Sequence, residues 1–364
     1  MRYLKALRLK RFWLLLLLPM ALLLDFAARS SADFAEWYAV NIYPVYSKAF
    51  SAVTALVPIS VGELLLVASV IFIVLYLIIG IVRLVRTKDG RFERLVRFIS
   101  VPLLIAVCIG FLCVTNYGTN HRRYAFARVS GLDVHDSSVD ELYELCVTLT
   151  ERANELRLNV NEDENGVFCL SKDVWETAED ASRNFNLLNA EYPTLYTCGK
   201  PKPVLASEVM SYLDISGIYC PFTFEANVNV HMNDVFIPFT MCHELSHLSG
   251  YMREDEANFI AFLAGINSDD PDYAYSCVFA AMVHSSNALF SADIELWKEL
   301  REMRSDGVIR DSASNSAYWD KYDTPVAEAS NRVNDAYLKA NGQTNGVKSY
   351  GRMVDLLLAY YRAE

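Results

Sequence analysis

The chain has 364 residues, with 33 Lys and Arg against 44 Asp and Glu, a formal net charge of -11, and 53% hydrophobic residues. That length suits one or two hydrophobic cores together with membrane segments. Lys and Arg cluster only beside the apolar segments, so nothing matches the basic stripe that phosphate binding needs, and a nucleic-acid partner is excluded on charge.

The first apolar stretch, Phe12 to Leu24, follows the basic run Arg2, Lys5, Arg8, Lys10 and Arg11. Its length also suits a secretory signal core, but no clean small-residue cleavage site follows and further apolar segments do, which favours a retained anchor over about 10–28. Two more spans are expected over about 61–85 and 98–116. Arg83, Arg86, Lys88, Arg91, Arg94 and Arg97 surround the junction of these two spans, against Asp89 and Glu93. Basic short loops stay in the cytoplasm, so the chain is expected to cross three times and to leave residues 118–364 outside the cytoplasm. Between the first two spans, Ala35 to Pro58 carries Trp37, Tyr38, Tyr43 and Tyr46 with few charges, which reads as an interfacial helix or as a loop on the outer surface.

Residues 118–364 read as a mainly helical α+β domain with a small sheet. Ser137 and Ser138 before Asp140 and Glu141 mark a helix start, and Ser171 opens a second helix that stops before Pro193. Gly217 to Val230, rich in Ile, Tyr, Phe, Thr and Val, reads as a strand. Helices then follow at about 238–249, 253–266, 271–290, 292–304, 324–340 and 348–362. The run Arg310 to Ser316 reads as a surface loop. Of eight cysteines, Cys108 and Cys113 fall in an apolar span. The other six, Cys146, Cys169, Cys198, Cys220, Cys242 and Cys277, form no CxxC pair and are open to disulfides or to buried thiols.

The segment that carries chemistry is His243-Glu244-Leu245-Ser246-His247. Histidines four apart on a helix project from one face, so both imidazoles can reach one zinc ion, with Glu244 beside them to accept a proton from an activated water. Zinc would lower the pKa of that water and polarise a scissile carbonyl, and Glu244 would pass the proton on to the leaving amine. Gly250 stops the helix, and Glu254-Asp255-Glu256-Ala257-Asn258 opens the next one. A third protein ligand is needed. Glu254 and Asn258 share a face, while Glu256 points roughly 200° away from Glu254 on an ideal helix. Glu254 is therefore the expected third ligand, with Glu256 the alternative and Asn258 a support for a ligand.

These residues resemble the HExxH and ExxAN helices of gluzincin peptidases, a likeness that implies zinc and assigns its third ligand to Glu254. The chain resembles more closely a bacterial membrane family of unknown activity, with N-terminal membrane helices. That family shares the segments found here as Pro221 to Asn227, His243 to His247, Glu254 to Phe259 and Ser349 to Leu357. The likeness spans nearly the whole chain and implies a membrane-bound protein. Only six residues separate His247 from Glu254, fewer than gluzincins commonly carry. The alternative metzincin pattern would put its third ligand at Arg253, a cation unable to bind zinc.

Zincins resemble one another in placing an edge strand ahead of the motif helix, where it pairs with an extended substrate. Glu225 and Asn227 on the 222–230 strand would then line the cleft. For the donor that stabilises developing negative charge, Tyr350 is preferred over Arg352 and His284, and Tyr251 is expected to wall the site. The sequence thus predicts a multi-pass zinc metallopeptidase of the cell membrane acting on a peptide or protein substrate. A catalytically silent zinc-binding sensor or scaffold, and a zinc hydrolase for a non-peptide bond of the cell envelope, are the alternatives.

Overall fold

The computed structural model describes residues 10–87, 89–197, 199–340 and 352–363. Three helical stretches are long and apolar enough to cross a bilayer: Phe12–Ser30, Val61–Arg86 and Arg91–Arg122. They contain helices α1 (Leu17–Ser30), α4 (Val61–Arg86) and α5 (Arg91–Cys113). No residue of α4 is buried, as expected of a helix surrounded by lipid. The third span starts earlier than the apolar pattern indicates. Gly90, at φ 74°, turns the chain straight into α5, and Glu93 pairs with Arg97 one turn on at 2.6 Å. Arg83, Arg86, Arg91, Arg94 and Arg97 therefore lie on the ends of the two helices, and Lys88 lies outside the described residues.

The aromatic segment after α1 forms two helices, α2 (Ala32–Asn41) and α3 (Tyr43–Thr54), and neither lies free on the outer surface. Tyr38 and Tyr43 are buried in the main core together with Phe126, Leu149, Leu245 and Phe259, while Trp37 stays exposed. The boundary drawn near residue 117 thus runs through a shared core.

That core is mainly helical. α6 (Val139–Arg157) opens on a capping box between Ser138 and Glu141, as the sequence indicates. α7 (Val174–Leu187) is capped by Asp173, two residues after Ser171, which instead donates its N–H and hydroxyl to Asp272. Then come α8 (Ile237–Leu248), α9 (Glu254–Ile266), α10 (Pro271–Ala292), α11 (Ile294–Glu302), α12 (Asp306–Asp320), α13 (Pro325–Ala340) and α14 (Arg352–Ala363). α8, α9 and α10 pack on one another, and α10 also lies along α6.

Two expectations are corrected. Arg310 to Ser316 is the middle of α12, with no loop there. Ser305 caps the helix, and Asp311 turns inward to accept bonds from Arg157 at 2.6 Å, the Phe168 N–H at 2.7 Å and the Tyr275 hydroxyl at 2.6 Å. A Ser- and Asn-rich run without Gly or Pro is helical once one of its acids satisfies a buried arginine. The single strand expected over 217–230 is a hairpin of β2 (Gly217–Cys220) and β3 (Glu225–Val228), turning at Phe224 with φ 53°. β3 also pairs in parallel with β1 (Lys202–Pro203), giving the order β1-β3-β2. β3 is therefore central, and β2 is an edge. The five described cysteines outside the membrane spans, Cys146, Cys169, Cys220, Cys242 and Cys277, are free thiols, and Cys198 lies outside the described residues.

Candidate metal centre

α8 is buried along nearly its whole length, and His243 and His247 leave it on one face with their rings perpendicular and 4.7 Å apart. Each imidazole is held through its Nδ1. Asn258 Oδ1 lies 2.7 Å from His243 Nδ1, and the Tyr251 carbonyl 2.8 Å from His247 Nδ1. If each Nδ1 carries the proton, as an oxygen acceptor favours, both Nε2 lone pairs are left to face outward together. Gly250, at φ 93°, permits the short return after α8, where a side chain would also press on Tyr43.

This turn delivers Glu254 as the first residue of α9. Its Oε2 lies 3.3 Å from His243 Nε2 and its Oε1 3.7 Å from His247 Nε2. Ligand atoms from the three residues all fall within 4.8 Å of one another. Charge-assisted N–H···O bonds close to about 2.7–2.9 Å, whereas donors around a tetrahedral ion with bonds of about 2.1 Å stand roughly 3.4 Å apart. The observed spacings therefore fit an ion better than a direct pair. Glu256 faces elsewhere, accepting from the Phe126 N–H at 2.7 Å and from Arg253 at 2.7 Å. Burial pulls the His247 imidazole down, but the Glu254 carboxylate outweighs it and raises the group to about 9. Burial would raise Glu254, yet His247 and His243 hold it well below the carboxylate range.

Glu244 is buried against the sheet. The Tyr219 N–H donates to it, and its Oε2 has no partner among the described residues. Burial pushes its carboxyl up to about 7. Gly217 is required here. A Cβ on it would lie 2.8 Å from Thr240 Cγ2 and closer still to Glu244 Oε1.

The three converging residues and Glu244 line a cavity of about 640 Å³. One wall is β2, from Gly217 to Tyr219. α13 also contributes to the lining, and its Asn331 donates to Asp214 at 2.8 Å. Tyr117 and Tyr337 also line it, hydrogen-bonded through their hydroxyls with ring centroids 5.4 Å apart. His284 is present as well, kept neutral by burial that lowers it to about 4. Among the described lining residues there is no Lys or Arg; the acids among them are Asp214, Glu244 and Glu254. A larger crevice of about 820 Å³ opens between α4 and α5 around Arg83, Arg94 and Arg97.

Other expected positions fall differently. Glu225 and Asn227 do not line the cleft. Glu225 is buried against Lys202 and accepts the Val61 and Gly62 N–H groups, and Asn227 bonds the Ile218 carbonyl at 3.2 Å. Central strands bury such residues, and the edge lies one strand over. Tyr251 acts through its carbonyl, while its ring sits under Arg123 and its hydroxyl bonds Thr194. Tyr350 lies outside the described residues, as does the side chain of Arg352. Sequence reasoning misses Tyr117, Gly217 and Tyr337. Gly217, a glycine opening a β-rich run, is the one visible signal among them.

Fold and site together define a mainly helical α+β protein with N-terminal membrane helices and a buried His-Glu-His-Glu constellation facing a cleft. A family model described as protein of unknown function (DUF3810) matches residues 38–358, and the chain belongs to that family. Neither the curated proteins nor the solved structures contain a match to this chain.

Proposed function

We propose that this protein is a membrane-anchored zinc metallopeptidase. The observation that carries the reading is the convergence of His243 and His247 Nε2 with the Glu254 carboxylate, beside an unpartnered oxygen of a buried Glu244. His243, His247 and Glu254 would hold the ion, which when bound supplies Lewis acidity toward a water and a carbonyl. Glu244, ionised beside the bound cation, takes the proton from the attacking water and delivers it to the departing amine. Asn258 and the Tyr251 carbonyl keep the imidazoles oriented. Tyr337, partnered by Tyr117, is the donor suited to the developing oxyanion.

Peptide is the substrate class the cleft favours. Ser216 O accepts from the Asn229 N–H and Cys220 O from the Phe224 N–H, so alternation along the hairpin leaves the main-chain groups of Gly217 and the carbonyl of Tyr219 on the outer edge, the Tyr219 N–H being given to Glu244. An extended peptide can pair there. The described lining residues include no Lys or Arg to meet a phosphate-bearing envelope substrate. The clustering of Arg83, Arg86, Arg91, Arg94 and Arg97 at the α4–α5 junction supports a cytoplasmic junction and an outward-facing site.

The test uses the full chain in detergent: zinc content, and cleavage of a peptide library by wild type and Glu244→Gln. One zinc per chain with Glu244-dependent turnover is expected. Zinc without such turnover would favour a silent sensor, and a folded chain that takes no zinc would sink the proposal.

A further inference from the structure

The candidate cleft is tied to the membrane helices without slack. Tyr117, which lines it, lies within the C-terminal part of the third apolar stretch, Arg91–Arg122. β2 makes a second measure. Its first residue, Gly217, lies against Glu244, and its last, Cys220, lies against Gly62 in the first turn of α4. Three residue steps along a strand cover roughly 10 Å. The start of α4 is clamped to the sheet. Glu225 accepts the Val61 and Gly62 N–H groups at 3.1 and 2.7 Å, and Glu63 accepts those of Leu205 and Ala206 at 3.0 and 2.8 Å. Asn116 donates to the Pro221 carbonyl at 2.7 Å, pinning the hairpin turn to the end of the third span.

Apolar side chains surround these clamps. Leu56, just before α4, is 83% exposed, Leu205 beside Glu63 is 68% exposed, and Phe222 in the hairpin turn is 42% exposed. Such residues suit the headgroup layer, which is roughly 5–8 Å deep on each side of the hydrocarbon. The cleft therefore sits at or just above the lipid headgroups, and its described lining residues include acids and no Lys or Arg.

We infer that the substrate is the juxtamembrane segment of a membrane-anchored protein, cut within about six residues of the bilayer surface. This rests on the peptidase reading. An extended chain advances about 3.3 Å per residue, so the roughly 10 Å between the membrane helix and Glu244 corresponds to about three or four residues, and a few more allow for the headgroups. A peptide bond carried far from the bilayer would have to bend back to the lipid surface to reach β2. A bond just outside a spanning segment is already there.

The full chain is reconstituted with zinc in phosphatidylcholine vesicles. It is offered a randomised peptide segment fused to a single hydrophobic spanning helix through spacers of about 4 or 24 residues, and the same segment free in solution. Glu244-dependent cuts are expected to cluster beside the helix, with the short spacer favoured at least tenfold. Equal rates on the long spacer or the free peptide would overturn the inference and leave the peptidase reading standing. Zinc binding with no turnover of any substrate would overturn both. Independently of activity, Phe222→Trp should add fluorescence that lipids brominated near the headgroup quench; unquenched added fluorescence would refute the placement at the membrane.

Discussion

The two walls of the cleft are built in different ways. The metal-holding wall is local in sequence: His243, Glu244, His247, Glu254 and Asn258 span sixteen positions on two helices joined by one turn. The facing wall gathers Tyr117 from the end of a membrane span, Gly217 to Tyr219 from an edge strand, and Tyr337 from α13. Ligation chemistry can be placed by helical periodicity within a few turns. Substrate positioning depends on where the membrane helices fix the sheet, and no short-range pattern encodes that.

The largest effect should come from the local wall. Glu244→Gln should lower kcat by roughly 10²–10⁴-fold while zinc content and KM hold, because only the proton acceptor is lost. Loss of zinc together with activity would mean that Glu244 ligates instead. Next, Glu254→Gln should weaken zinc binding by more than the roughly 10–100-fold expected of Asn258→Ala, which removes only the partner of His243. Glu256→Gln should keep the zinc affinity. If Glu256→Gln costs the metal and Glu254→Gln does not, the choice of third ligand is reversed. Both are read by competition with a chromogenic chelator.

The facing wall is tested by Gly217→Ala. The added methyl would press on Thr240 and Glu244, so the base must shift. A displacement of the order of 1 Å costs about 10²-fold in rate, and zinc affinity should stay unchanged. Activity unaffected by the methyl would mean that β2 does not fix the base.

How much is legible in the sequence follows the same division. Apart from α12, and from the start expected at 348, which lies outside the described residues, the helices after residue 230 are read nearly to their ends, because buried amphipathic helices with capping residues announce themselves. The likeness of the motif helix to zincins identifies the constellation. The hairpin reads as one strand because Pro221 to Phe224 is as apolar as the strands it joins, and this puts the edge at β3 when it lies at β2. Tyr43 reads as interfacial because an aromatic residue after a membrane span looks the same whether it meets lipid or core. Its partners, the Tyr219 hydroxyl at 2.8 Å and the Leu248 carbonyl at 3.0 Å, lie more than 170 residues away.

The smallest expected effect concerns pH and the zinc-free protein. Burial raises Glu244 from 4.5 to about 7, so the fold prefers its protonated form. The stability this confers is complete below pH 4.5 and is lost as pH rises through 7, by about 3 kcal/mol, since each tenfold change in proton affinity is worth about 1.4 kcal/mol. His247 and Glu254 also titrate, but both remain in Glu244→Gln, whose amide stays neutral. The difference in unfolding free energy between that variant and the wild type, measured in chelator by denaturant titration, should grow in the variant's favour from pH 4.5 to 7. With zinc added the growth should shrink, because a cation beside Glu244 favours its ionised form. A difference that stays flat with pH in the zinc-free state would mean that Glu244 is already ionised there, and that water reaches it from the side where β2 closes on the motif helix.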